Sequence, residues 1–181
     1  MITDFVKYKF AEFLDLPDET REEYEHIGML LPSDPWDIPD VLEWEYLTVK
    51  EVQSNIHETI DYEQIIWIIN EITGIENEKI LSKCWIDVFK FLKFVFDSIE
   101  KINELEKKLA YEPDSDEINA GIENYNHFGH FATIDRLSGG DPLKYESIGK
   151  LQYSIIFAKL VLNKVDQEFS KKYQAIKSKV K

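Results

Sequence analysis

Residues 125–145 read YNHFGHFATIDRLSGGDPLKY, and the reading of this stretch decides the fold. With Gly121 just ahead of it, it holds four of the chain's seven glycines. Glycine enters the left-handed conformation of a helix C-cap at little cost, so Gly139 and Gly140 predict a helix end. Asp141 suits the N-cap of the next helix, and Pro142 suits its first position, where no amide hydrogen is needed. Gly139, Gly140, Asp141 and Pro142 together predict a structural corner. A helix over 131–138 turns sharply there into another that starts at 142.

On the C-terminal side of this corner, apolar residues from Ile148 to Val180 predict one long helix, or two broken near Gln152. On the N-terminal side, 111–119 (YEPDSDEIN) reads as a solvated linker. Before it, Ile86, Phe89, Leu92, Val95, Phe96, Ile99, Ile102 and Leu105 recur mostly at intervals of three or four, predicting a helix over 85–110. A short helix is expected over 78–83. Asp61 is placed to cap a helix that is apolar on nearly every side (Ile65, Ile66, Trp67, Ile68, Ile69, Ile72) and is expected to be buried. Gly74 ends it. Thr48 and Glu51 have the spacing of a capping box and predict a helix beginning there.

From 12 to 45 there are twelve acids and one base, Arg21, interrupted by four prolines. These exclude one long helix, leaving a helix over 19–31 and an extended loop over 31–40. Residues 1–16 fit a short strand or an amphipathic helix. No internal repeat is visible, and strands, if present, are confined to the acidic segment or to 124–130. The expected fold class is mostly α: a single-domain helical bundle over 48–181, with an irregular acidic segment over 1–47 packed on it.

At 181 residues the chain can bury roughly 70% of the surface its unfolded form exposes. Its net charge of −14 argues against direct nucleic-acid binding through phosphate contacts. The charge is uneven: from 144 to 181 there are nine lysines against three acids, so the rest is strongly acidic. Such asymmetry invites head-to-tail contact between copies, or folding of the basic tail onto its own body. A single cysteine, Cys84, precludes an intramolecular disulfide and fits a reducing compartment. The first residues lack the pattern of a signal peptide, and no run approaches the ~20 apolar residues of a membrane span.

No chemical motif is convincing, and neither metal nor cofactor is expected. His127, His130 and Asp135 have poor spacing for a metal site, and two histidines beside packed Phe128 and Phe131 is the plainer reading. The sequence around Gly139 and Gly140 lacks the pattern of a phosphate-binding loop and follows no strand. Asp135 and Arg136 are neighbours that do not face each other on a helix. Cys84 has no histidine placed to activate it. Trp36, Trp44 and Tyr46 are candidate partner-binding residues, because large aromatics dominate binding hot spots; folding over the core as a lid is the other reading. Lys171 and Lys172 in the basic tail are further candidate partner contacts.

Two stretches together resemble a known group of proteins. One is DYEQIIWIINEITGIENEKILSKCWIDVFKFLKFV over 61–95; the other is the Gly-Gly corner with LQYSIIFAKLVLNKVDQEFSKKY after it. They resemble small helical tail assembly chaperones and related morphogenesis proteins of bacterial viruses, in which a Gly-Asp-Pro-x-Lys-aromatic turn precedes a helix. The acidic segment has no counterpart in that pattern, and Tyr145 stands where a tryptophan is common. The resemblance implies a non-enzymatic protein that binds phage structural proteins, such as a tape-measure, tail or neck component, or that forms a connector ring as a homo-oligomer. It would act in the host cytoplasm during assembly, or remain in the virion. An acidic inhibitor of a host enzyme, or a DNA mimic, is the alternative.

Overall fold

A computed structural model describes residues 8–56, 61–111 and 113–179. Among them the chain forms helices and no strand: α1 (Phe10–Leu14), α2 (Asp18–Leu30), α3 (Tyr46–Asn55), α4 (Tyr62–Thr73), α5 (Asn77–Leu81), α6 (Trp85–Lys107), α7 (Ser115–Asn119), α8 (His130–Ser138), α9 (Tyr145–Gly149) and α10 (Tyr153–Lys179). The mostly helical class expected from the sequence is the one observed. Two compact units result. One comprises Met1–Val41 with Glu51–Lys101, the other Leu42–Lys50 with Ile102–Lys181. Residues 42–47 thus belong with the C-terminal half of the chain, and the division falls within α3 and α6.

The first unit is built around aromatic side chains on the start of α6. Phe10, Phe13 and Trp85 are fully buried. Phe13 stacks on Trp85 at 5.2 Å between ring centroids and meets Phe89 edge-on at 5.5 Å. Tyr24 of α2 covers the other side of Trp85 at 5.6 Å. Close approach of α2 to α6 requires Gly28, where a Cβ would lie 2.9 Å from the Cβ of Phe89. Arg21, the one base among the acids of this region, holds the unit from within: its guanidinium donates to the carbonyl of Leu14 at 2.8 Å, pairs with Asp18 and lies over the Tyr62 ring.

A main-chain device sets the start of α6. Lys9 and Cys84 form an isolated antiparallel bridge, in which the Phe10 amide donates to Lys83 and the Trp85 amide to Tyr8. The region of 1–16 that is described is therefore one bridging turn followed by a one-turn helix. The second unit uses the same device: Glu45 bridges Gln152, the Tyr46 amide donates to Leu151 and the Tyr153 amide to Trp44. Each bridge places a buried aromatic at the start of both helices that it joins: Phe10 and Trp85 in one unit, Tyr46 and Tyr153 in the other. In each, a helix closed by a left-handed glycine (Gly74 or Gly139) leads through a one-turn helix (α5 or α9) into the bridge and the long helix. The sequence shows no repeat, yet the local architecture is used twice.

The corner forms as expected. Gly139 and Gly140 have φ of 70° and 78°, and the Asp141 side chain accepts from the Leu143 amide. Pro142–Lys144 make a 3-10 turn that runs into α9. The corner is latched by a contact that sequence spacing does not reveal, the Tyr145 hydroxyl donating to Asp135 at 2.5 Å. Asp61 caps α4 in a capping box, with the Gln64 amide donating to it at 2.8 Å.

Three expectations are corrected. Thr48 does not begin a helix: it lies inside α3, which starts two residues earlier, at Tyr46, next to the bridge at Glu45. Helix α4 is not buried all round: Ile65, Ile68 and Ile69 face the core, while Trp67 is 36% exposed. The expected linker 111–119 contains α7, capped by Asp114, whose side chain accepts from Asp116 and Glu117.

Candidate functional site

Helix α10 runs for 27 residues and changes character along its length. Its first two turns anchor it through buried Tyr153 and Ile156, with Phe157 and Leu160 half-buried on the same side. Beyond Leu160 this inward stripe continues as Asn163, Gln167, Ser170 and Gln174, which line an open groove of about 740 Å³ with Tyr111 and Arg136. The outward stripe is apolar: Ile155, Leu162, Val165, Phe169 and Ile176 are between 51% and 66% exposed. An ordinary surface helix has the opposite arrangement, apolar inside and polar outside. Here every described residue from Val165 on is exposed, the polar stripe borders only the open groove, and the apolar stripe is left in solvent.

Two lysines of α10 serve the chain itself before any partner. Lys164 donates to the carbonyl of Lys108 at 2.8 Å, satisfying a carbonyl just past the end of α6, where the helix dipole favours a cation. Lys171 donates to the Tyr111 hydroxyl at 3.0 Å and lies over its ring. Tyr111 in turn donates to Glu117. This bond, with the Asp114 amide and then Lys171, holds the Glu117 carboxyl below its ordinary range. The hydrogen bond to Tyr111, then Glu117, raises the ammonium of Lys171. Of the two expected contacts in the basic tail, Lys171 is engaged within the unit and Lys172 is exposed.

The aromatic candidates also divide. Trp44 and Tyr46 are 6% and 2% exposed, so neither presents a surface to a partner. Trp36 is half-buried and acts as a lid: it stacks on Phe91 at 4.3 Å, with the Lys83 ammonium 4.3 Å above its ring. It does so with φ of 49°, a left-handed backbone that costs a bulky residue about 1–2 kcal/mol. An Asp34 carboxylate accepting from the Trp36 amide at 3.0 Å helps to hold the turn.

Titratable groups do converge in the second unit, around Glu106. Its carboxylate accepts from the Tyr153 hydroxyl at 2.6 Å and from Lys50 at 2.5 Å. Tyr46, bonded to Thr133, stacks on Tyr153 at 6.1 Å. Burial pushes the Tyr46 phenol up to about 12, and burial with the Glu106 hydrogen bond raises Tyr153 further. Both phenols are therefore neutral across the physiological range, and Tyr153 is the donor to Glu106. Tyr46 and Tyr153 are almost wholly enclosed while Glu106 is partly exposed at the edge of the network, which satisfies the buried Tyr153 hydroxyl.

His127 and His130 are not brought to a common centre with Asp135: Asp135 is bonded to Tyr145 and His130 stacks on Phe131. Among the described residues no cluster of three histidine, cysteine or acidic groups suits a metal ion. Phe128 and Phe131, expected to pack, are 62% and 54% exposed. No helix of the described residues is long and apolar enough to cross a membrane. The sequence reading missed the outward face of α10, although its signal was present. Residues 155, 158, 162, 165, 169, 172 and 176 follow strict alternation of three and four, and all but Lys172 are apolar. Compared with protein-family models, with curated proteins and with solved structures, the chain matches none.

Proposed function

We propose that this chain is a non-enzymatic interaction protein that works through the outward face of α10, in the assembly of a bacterial virus. The observation that carries the reading is the apolar stripe of α10, whose side chains from Ile155 to Ile176 are left in solvent. Exposed apolar surface of this extent marks a place where another macromolecule binds. The viral setting rests on the sequence resemblance alone, which favours a tail-assembly-chaperone-like factor or a neck or connector ring subunit. Its partners would be the tape-measure, tail or neck proteins, or further copies of itself.

The test is retention of structural proteins from cells producing the virus, by wild-type chain and by Val165→Glu. The reading expects a tail or neck protein to be held by the wild type and lost with the variant; a wild type that holds no structural protein overturns the viral assignment. Presence in purified virions separates a ring subunit from a chaperone, which leaves before completion.

A second reading has its own support. Asp18, Glu19, Glu22 and Glu23 are all exposed on α2, an acidic face suited to blocking a basic site on a host enzyme. Binding through that face would collapse as salt rises, whereas binding through α10 would not.

A further inference from the structure

We infer that the occupant of the α10 face is a second copy of this chain, whose own α10 lies antiparallel across it. This deepens the interaction reading above and rests on it. The stripe 155, 158, 162, 165, 169, 172, 176 has the spacing of a coiled-coil seam, with 155, 162, 169 and 176 at one core position and 158, 165 and 172 at the other. In an antiparallel pair each position of the first kind meets one of the second. Setting Leu162 against Val165 of the other copy places Phe169 against Ala158, the largest side chain of the seam against the smallest. The same register brings Ile155 to Lys172, whose methylene stem covers it while the ammonium reaches water.

Charge selects the same register. Lys159 and Asp166 flank the seam on one edge, both exposed and neither in an ion pair with a described residue. The antiparallel setting brings Lys159 of each copy to Asp166 of the other, giving two equivalent pairs. A parallel pair would set Lys159 opposite Ser154 and Asp166 opposite Val161, with no compensation. Opposed helix dipoles favour the same orientation. Two-fold pairing of this kind closes on itself and gives a dimer.

The experiment is mass in solution against concentration for the full chain, with four variants. Wild type is expected to form a dimer. Val165→Glu, which buries a charge in the central layer, should raise the dissociation constant roughly 100-fold or more while leaving the helical circular dichroism of the monomer in place. Lys159→Glu and Asp166→Lys should each weaken the dimer by roughly 3- to 10-fold, and the double variant should restore it, because the swapped charges meet again. Failure of the double variant to recover overturns the antiparallel register. A chain that stays monomeric, yet loses retention of a viral structural protein through Val165→Glu, overturns the second copy as occupant and leaves the interaction reading standing. If Val165→Glu changes neither mass nor retention, both fall.

Discussion

Helices α6 and α10 leave the same kind of bridge, each with a buried aromatic at its first position, yet their two faces are patterned in opposite ways. Aligned at Trp85 and Tyr153, the inward positions of α6 are Val88, Phe89, Leu92, Val95, Ile99 and Ile102, all buried. Those of α10 are Ile156, Phe157, Leu160, then Asn163, Gln167 and Ser170. The outward positions of α6 are Asp87, Lys90, Phe94, Asp97, Lys101 and Glu104, which carry charge at all but one place. Those of α10 are Ile155, Ala158, Leu162, Val165, Phe169 and Lys172. After two turns, then, the inward stripe of α10 turns polar, while the outward stripe is apolar from Ile155 on. A frame that supports a helix does not dictate what the helix is for; α6 spends its apolar residues within the chain, and α10 offers them outside it.

The comparison breaks most decisively in the core. Phe13→Ala removes a ring that contacts Trp85, Tyr62 and Phe89 and should cost about 3–5 kcal/mol by denaturant unfolding. Gly28→Ala, forced against Phe89, should cost about 1–3 kcal/mol. Glu106→Gln, which leaves Lys50 without its carboxylate, should cost about 1–2 kcal/mol, discounted because Glu106 is partly exposed. Phe169→Ser, by contrast, should change the stability of the monomer by no more than about 0.5 kcal/mol, despite removing a large ring. A loss of core size at Phe169 in the monomer would erase the distinction between the two helices.

Alkaline titration sharpens it further. Tyr62 in the first unit and Tyr46 in the second are both raised to about 12, by burial first in each case, then by the Glu25 hydrogen bond at Tyr62. A raised phenol means that the folded state holds its proton longer than the unfolded one. The contribution is full below about pH 10 and is lost as pH climbs toward about 12. Unfolding midpoints between pH 9 and 12 should fall, and Tyr46→Phe and Tyr62→Phe should each flatten part of that slope.

Local signals made much of the fold readable. Asp61, Gly74, Gly139 and the Asp141-Pro142 pair act on their immediate neighbours, so their helix boundaries follow from residue chemistry. The start of α3 did not, since Thr48 and Glu51 mimic a cap whereas the actual start is set by main-chain bonds to residues about a hundred positions away. The repeated bridge was invisible for the same reason: amide-to-carbonyl bonds leave no side-chain signature. Trp44 and Tyr46 looked like anchors for a partner because acids and prolines surround them, but the bridge turns both inward. The outward face of α10 was written in the spacing of its apolar residues, but two stripes share that helix, and periodicity alone does not say which one the chain covers.

Backbone hydrogen exchange along 161–178, followed through a dilution series of the full chain, tests the central claim most directly. A long helix with an uncovered apolar side should be protected at high concentration, lose that protection on dilution, and do so while α6 from Trp85 to Ile99 stays unchanged. Exchange in 161–178 that is equally slow, or equally fast, at every concentration would contradict it.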